Sequence, residues 1–119
     1  IEPVIEITDV PVHCRIDRPA FDRIISNILG NVLKYSDGDL WVGLDADGII
    51  RFTNSAKNLT PVMVERLFDR FYTVETGRNS TGLGLSIARA LTERIGGKIE
   101  ATYTDGKLTI SLRFHGENR

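Results

Sequence analysis

Seven apolar residues, Phe21, Ile24, Ile25, Ile28, Leu29, Val32 and Leu33, recur at three- and four-residue intervals between Asp17 and Ser36. That period is helical, and a stripe this long and one-sided needs a flat apolar partner to cover it. The rest of the chain supplies strands for the purpose. Leu108, Ile110, Leu112 and Phe114 alternate with polar residues, and Leu40, Val42 and Leu44 alternate with Trp41 and Gly43. Asp47-Gly48 and Asp105-Gly106 are hairpin turns, the first into residues 49–53 and the second between 98–104 and 107–114. Residues 4–7 and 12–16 are short β-like runs, and 54–58 is a polar loop. Asp17 suits a cap for the long helix, with Pro19 in its first turn. Thr60-Pro61 opens a short helix to about Phe71, and residues 82–95 form a third helix that Gly96-Gly97 ends. About five strands and three helices predict an α/β (α+β) two-layer sandwich, with helices over one face of a mixed sheet.

The 119 residues suffice for one domain with its own core, spanning 1–119. Apolar content of 41% and charged content of 26% describe an ordinary globular chain. A net charge of −1 argues against a nucleic-acid surface or direct contact with an anionic membrane. Cys14 is the single cysteine and forms no internal disulfide, which favours a reducing compartment. No apolar run approaches the roughly 18 residues of a membrane span. The opening Ile1-Glu2-Pro3, without an initiator methionine or a leader, reads as a piece of a longer protein.

Two polar constellations carry the chemistry. In Ser80-Thr81-Gly82-Leu83-Gly84-Leu85, two glycines flank one residue where an apolar helix starts. Helix-start amides are unpaired and partly positive, so phosphate is their natural guest. Upstream, Asn27, Asn31 and Lys34 fall within about 60° of one another on the helix wheel, with Tyr35 beside them. Their stripe lies roughly 130° from the apolar one and faces sideways, away from the core. Two amides and an ammonium there suit a Mg²⁺–phosphate ligand; they equally suit a solvated helix flank. Residues 73–81 read as a mobile polar loop between the two constellations.

Residues 25–36 (ISNILGNVLKYS) resemble the N box of sensor histidine kinases. Residues 67–72 (LFDRFY) resemble their F box, and 81–88 (TGLGLSIA) with 96–99 (GGKI) resemble their second glycine box and the strand after it. Order and spacing agree from about Asp17 to Phe114. The domain resembled is the catalytic ATP-binding domain of the GHKL superfamily, a Bergerat α/β sandwich. The resemblance implies ATP and Mg²⁺ as ligands, with Asn31 holding the metal. It implies nucleotide contacts from Asn27, Lys34, Tyr35, Asn54, Leu59, Arg78, Thr81, Gly82, Leu83, Gly84, Leu85 and Thr109, Arg78 reaching the terminal phosphate from the loop. Phe68 and Phe71 then pack under the lid, and Arg70 is structural. Asn27 stands where the hydrolytic relatives carry a glutamate that activates water. Asparagine has no useful proton affinity near neutral pH, which favours kinase over ATPase.

One box departs from the pattern. The family's D-x-G-x-G aligns with Asn54-Ser55-Ala56-Lys57-Asn58, so the aspartate that accepts from the adenine amino group is an uncharged asparagine and neither glycine is kept. Weak ATP binding, in the high micromolar range or worse, is the expectation. Neither His13 nor His115 resembles the family's phosphoacceptor, which sits on a separate dimerisation helical hairpin; the chain by itself is expected to bind nucleotide without labelling itself. The implied partners are that helical domain and the receiver domain of a response regulator, and the implied location is the cytoplasmic side of a membrane-anchored sensor. Two other readings stay open: a degenerate nucleotide-binding or docking module, and a serine kinase of the anti-sigma-factor type.

Overall fold

The structure, a computed structural model, describes residues 3–14, 16–70 and 84–114. In chain order the elements are β1 (Val4–Ile7), α1 (Arg18–Tyr35), β2 (Trp41–Leu44), β3 (Ile49–Ser55), α2 (Pro61–Glu65), α3 (Gly84–Arg94), β4 (Lys98–Thr104) and β5 (Lys107–Arg113). The five strands form one sheet in the order β1-β2-β3-β5-β4. β1 and β2 run parallel, because α1 carries the chain across between them; every other pair is antiparallel. This is the mixed two-layer sandwich expected.

Strand alternation decides which side the helices cover. Phe52 and Asn54 on β3 and Leu108, Ile110 and Leu112 on β5 are buried on one face. The apolar ones among them join Ile24, Ile28 and Val32 of α1, Val64 of α2, Leu85 and Ala88 of α3 and Ile99 of β4 in a single apolar cluster. Ile24 and Ile28 are wholly buried, so truncating either to alanine costs about 2–5 kcal/mol. The other face carries Arg51, Thr53, Thr109 and Ser111, all half-buried, and no helix among the described residues covers it.

Local sequence explains the element ends. Asp105 (φ 53°) and Gly106 (φ 76°) make the two-residue turn that matches strand twist, as their pairing predicts. At the end of α3, Gly96 (φ 87°) takes the left-handed conformation, its amide donating to Glu93 O and that of Gly97 to Thr92 O at 2.8 Å. These are the two bonds of a Schellman stop. Gly97 is needed for space as well: a Cβ there would lie 2.5 Å from the Phe114 ring. Phe114 in turn meets Phe21 of α1 edge to face, 5.9 Å between centroids.

Four expectations are corrected. Residues 12–16 make no strand among the described residues; Cys14 forms only an isolated bridge. Asp17 precedes α1 in extended conformation, but its side chain accepts no capping bond. β3 continues through Ser55, so Asn54 and Ser55 belong to the sheet and not to a loop, their backbones paired with Leu108 and Lys107. The helix after Thr60 stops at Glu65, well short of Phe71. Its cap is as expected, Thr60 Oγ1 accepting from Met63 N at 3.2 Å.

Candidate functional site

The last two turns of α1 carry the first half of the site. Asn31 is only 9% exposed, which counts against a solvated helix flank at this position. A wheel drawn for one helix cannot include its neighbours, and α3 packs along α1. Among the described residues, Asn31 Oδ1 and Asn27 Nδ2 are buried side-chain atoms without a hydrogen-bond partner. A buried amide atom left unpaired costs about 1–3 kcal/mol, so such groups are rare and ask for a reason. An amide oxygen with free lone pairs is a competent ligand for a hard cation, and the donor type fits Mg²⁺. Lys34 and Tyr35 complete this end; both are half-buried, with Lys34 Nζ 5.2 Å from the centre of the Tyr35 ring.

The second half sits at the end of β3. Asn54 is 2% exposed and shares its sheet face with Phe52, under the helical layer. Its Nδ2 donates to Ser55 O at 3.2 Å, which leaves the amide oxygen as the group available to a ligand's N–H. Leu59 is buried in the apolar cluster beside it.

The loop after α1 ties these two halves together. Asp37 N donates to Ser55 O at 2.8 Å. Asp39 grips Ser55 twice, Oδ1 accepting from the backbone N at 2.7 Å and Oδ2 from the hydroxyl at 2.8 Å. These bonds, the backbone one first, hold the Asp39 carboxyl below its ordinary pKa against a smaller desolvation effect. The C-terminal end of α1 and the end of β3 are therefore fastened side by side. In the sequence, Ser36-Asp37-Gly38-Asp39 signals only a turn; nothing in its composition reveals the strand its carboxylates hold.

The third portion is the start of α3. Gly84 is its first residue, and among the described residues nothing lies within 4 Å of where a Cβ there would sit. The Leu85 side chain is buried in the core, which leaves its backbone as the part that can meet a ligand. Arg78, Thr81, Gly82 and Leu83, with Phe71, lie outside the described residues. Phe68 packs against the core, and Arg89 lies 5.9 Å above its ring.

Thr109 is corrected. It lies on the open face of the sheet, where its Oγ1 pairs with Thr53 Oγ1 at 2.9 Å. The residue of β5 beside it that faces the helices is Leu108, wholly buried and opposite Asn54. A strand turns successive side chains to opposite faces, so a one-residue difference in alignment decides the matter.

Residues 16–117 match the family described as histidine kinase-, DNA gyrase B-, and HSP90-like ATPase. The sensor histidine kinase YcbM of Bacillus subtilis is 32% identical over 94% of this chain, which spans 40% of that relative's length. Among solved structures, a mycobacterial sensor histidine kinase, MprB, superposes with a TM-score of 0.79 at 23% identity, covering 98% of this chain and 84% of its own. Full-length ShkA, solved in complex with AMPPNP, gives a TM-score of 0.72 at 22% identity over 99% of this chain and 26% of its own. The structural likenesses establish the shared sandwich. The family match takes in nearly the whole chain, from before α1 to beyond β5, and on it the protein belongs to the histidine kinase-, DNA gyrase B- and HSP90-like ATPases.

Proposed function

We propose that this chain is the Mg-ATP-binding catalytic domain of a sensor histidine kinase, presenting the γ-phosphate to a histidine on a separate helical domain. The observation that carries the reading is the buried, unpartnered Oδ1 of Asn31, on the helix whose sequence matches the N box. Mg²⁺ bound there supplies positive charge against the phosphates during phosphoryl transfer. Asn31 holds the metal through its amide oxygen, and Lys34 adds a point charge. The backbone N–H groups of Gly84 and Leu85, at the start of α3, donate to phosphate oxygens. Asn54 accepts from the adenine amino group through its amide oxygen, and Leu59 offers an apolar wall. Asn27 cannot take a proton from water, so bound ATP is kept for another nucleophile.

YcbM and ShkA are larger than this chain, and a sensor kinase needs more than one domain. We accordingly place the phosphoacceptor on the protein's own dimerisation helices and the next transfer on a response regulator's receiver domain. The domain then works on the cytoplasmic side of a membrane sensor. Among the described residues no helix is long and apolar enough to cross a membrane.

Titration calorimetry with Mg-ATP tests the binding. High-micromolar affinity is expected, because the base contact is uncharged, and the magnesium dependence should vanish in Asn31→Ala. Supplying the helical domain with radiolabelled ATP should then label its histidine. A folded chain whose spectra do not change in millimolar Mg-ATP overturns the reading.

A further inference from the structure

The segment after Asn54 has neither glycine of the family pattern, yet its first three residues are tied down from outside. Beyond the Asp39 grip on Ser55, Lys57 N donates to Asp37 Oδ2 at 2.9 Å. Ala56 N donates to Gly106 O at 2.8 Å in the β4–β5 turn. Ala56 O accepts from the Tyr103 hydroxyl of β4, also at 2.8 Å. Leu59 N closes back on Ala56 O at 3.1 Å. Three separate parts of the fold thus hold three consecutive residues, Ser55, Ala56 and Lys57: the α1–β2 loop, the face of β4 and the β4–β5 turn. A glycine-rich turn chooses its path through backbone freedom, whereas Ala56 and Lys57 must be guided into theirs by partners.

We propose that Asp39, seconded by Tyr103, is a positioning residue for base recognition, setting the direction of the Asn54 amide through Ser55 and Ala56. The inference rests on the nucleotide reading above, since it takes Asn54 as the base contact. Asp39 itself reaches no ligand. Its two acceptor bonds fix the residue that follows Asn54 and whose carbonyl receives the Asn54 Nδ2. Loss of Asp39 removes the bonds to the Ser55 amide and hydroxyl and leaves the residue to Asp37 N and its pairing with Lys107, so the carbonyl that receives Asn54 Nδ2 can shift and the amide oxygen is held less firmly toward the base. An amide free to turn presents N–H or C=O indifferently, so purines bearing a donor and those bearing an acceptor are no longer told apart. The phosphate end, held by α1 and α3, is unaffected.

The test compares Mg-ATP, Mg-GTP and magnesium tripolyphosphate binding in the 119-residue chain and in Asp39→Ala, Asp39→Asn and Tyr103→Phe. Asp39→Ala should weaken ATP about fivefold to tenfold and bring the ATP to GTP ratio close to one, with tripolyphosphate within about twofold. Asp39→Asn, which keeps one acceptor for the Ser55 amide, should restore part of the ratio, and Tyr103→Phe should lower it less than Asp39→Ala. If Asp39→Ala does not fold, the other two variants carry the same comparison. Equal weakening of ATP and tripolyphosphate, or an unchanged ratio in every variant, overturns the positioning role alone. A wild-type chain that binds none of the three overturns the functional reading and this inference with it.

Discussion

The two ends of the site are built on opposite terms. On α1 the interior holds amide atoms that nothing in the described protein satisfies, Asn27 Nδ2 and Asn31 Oδ1. At the end of β3 the backbone groups from Ser55 N to Ala56 O are all bonded, as are Lys57 N and Leu59 N. Folding alone accounts for the second arrangement and is opposed by the first, because a lone buried polar group is a loss that a bound ligand can recover. On the proposed function, the contrast separates groups placed to meet a ligand from groups that hold such groups in place.

The sharpest way to break this contrast is Asn31→Ala. Nucleotide affinity should fall more than about tenfold and lose its dependence on magnesium, while thermal stability stays level or rises, since an unpaired polar atom is removed. A variant that binds as before, or unfolds with a large loss of stability, would mean that Asn31 is structural. Asp39→Ala predicts the reverse pattern: stability falls by about 1–3 kcal/mol, as for bonds to a charged acceptor, and affinity changes less than with Asn31→Ala. Chemical denaturation beside the same titrations reads both quantities.

Acid titration sharpens the comparison further. The Asp39 carboxyl has a folded pKa below its ordinary value, chiefly through the Ser55 backbone amide. A depressed folded pKa means that the unfolded chain takes up the proton first. The stability from Asp39 is therefore complete above its ordinary unfolded value near pH 4, and is lost as pH falls through the lower folded value. Asp39→Asn should remove that part of the acid limb, flattening the curve below about pH 4 and leaving its slope at neutral pH unchanged. If the wild type and Asp39→Asn lose stability in parallel between neutral pH and acid, the grip on Ser55 contributes nothing in solution.

Much of the fold was legible because its signals are local. The Phe21-to-Leu33 period, the Asp105-Gly106 turn and Gly96-Gly97 each state their conformation within a few residues, and the structure has all three as read. The N box was legible as a resemblance, and its asparagines are where the unsatisfied atoms lie. What escaped was the long-range part. Neither the burial of Asn31 nor the inclusion of Asn54 in β3 follows from neighbouring residues; each depends on an element distant in sequence. Thr109 differs: the alternation of Leu108, Ile110 and Leu112 is in the sequence and already turns Thr109 to the other face, so only the contact that the resemblance implied for it fails. The brace by Asp37, Asp39 and Tyr103 joins positions 16 to 47 residues apart, and a turn composition carries no trace of it.

The smallest expected effect on binding is also the control that the comparison needs. Asp45 resembles Asp39 in kind: a short-range acceptor in a loop, its pKa lowered chiefly by the hydrogen bond from Arg51, with Ile49 and Asp47 amides adding to it. It differs in address, since its Oδ2 meets Arg51 Nη1 at 2.7 Å on the open face of the sheet, away from the helices. Both side chains there remain more than a third exposed, so solvent screens the pair and it contributes little, about 0–1 kcal/mol. Asp45→Asn should accordingly soften the acid limb as Asp39→Asn does, yet leave Mg-ATP affinity and the ATP to GTP ratio within error of wild type. Were Asp45→Asn to lower that ratio as far as Asp39→Asn, base selectivity would be following general carboxylate loss. The grip on Ser55 would then have no special part in it, and the distinction between the two ends of the site would rest on Asn31 alone.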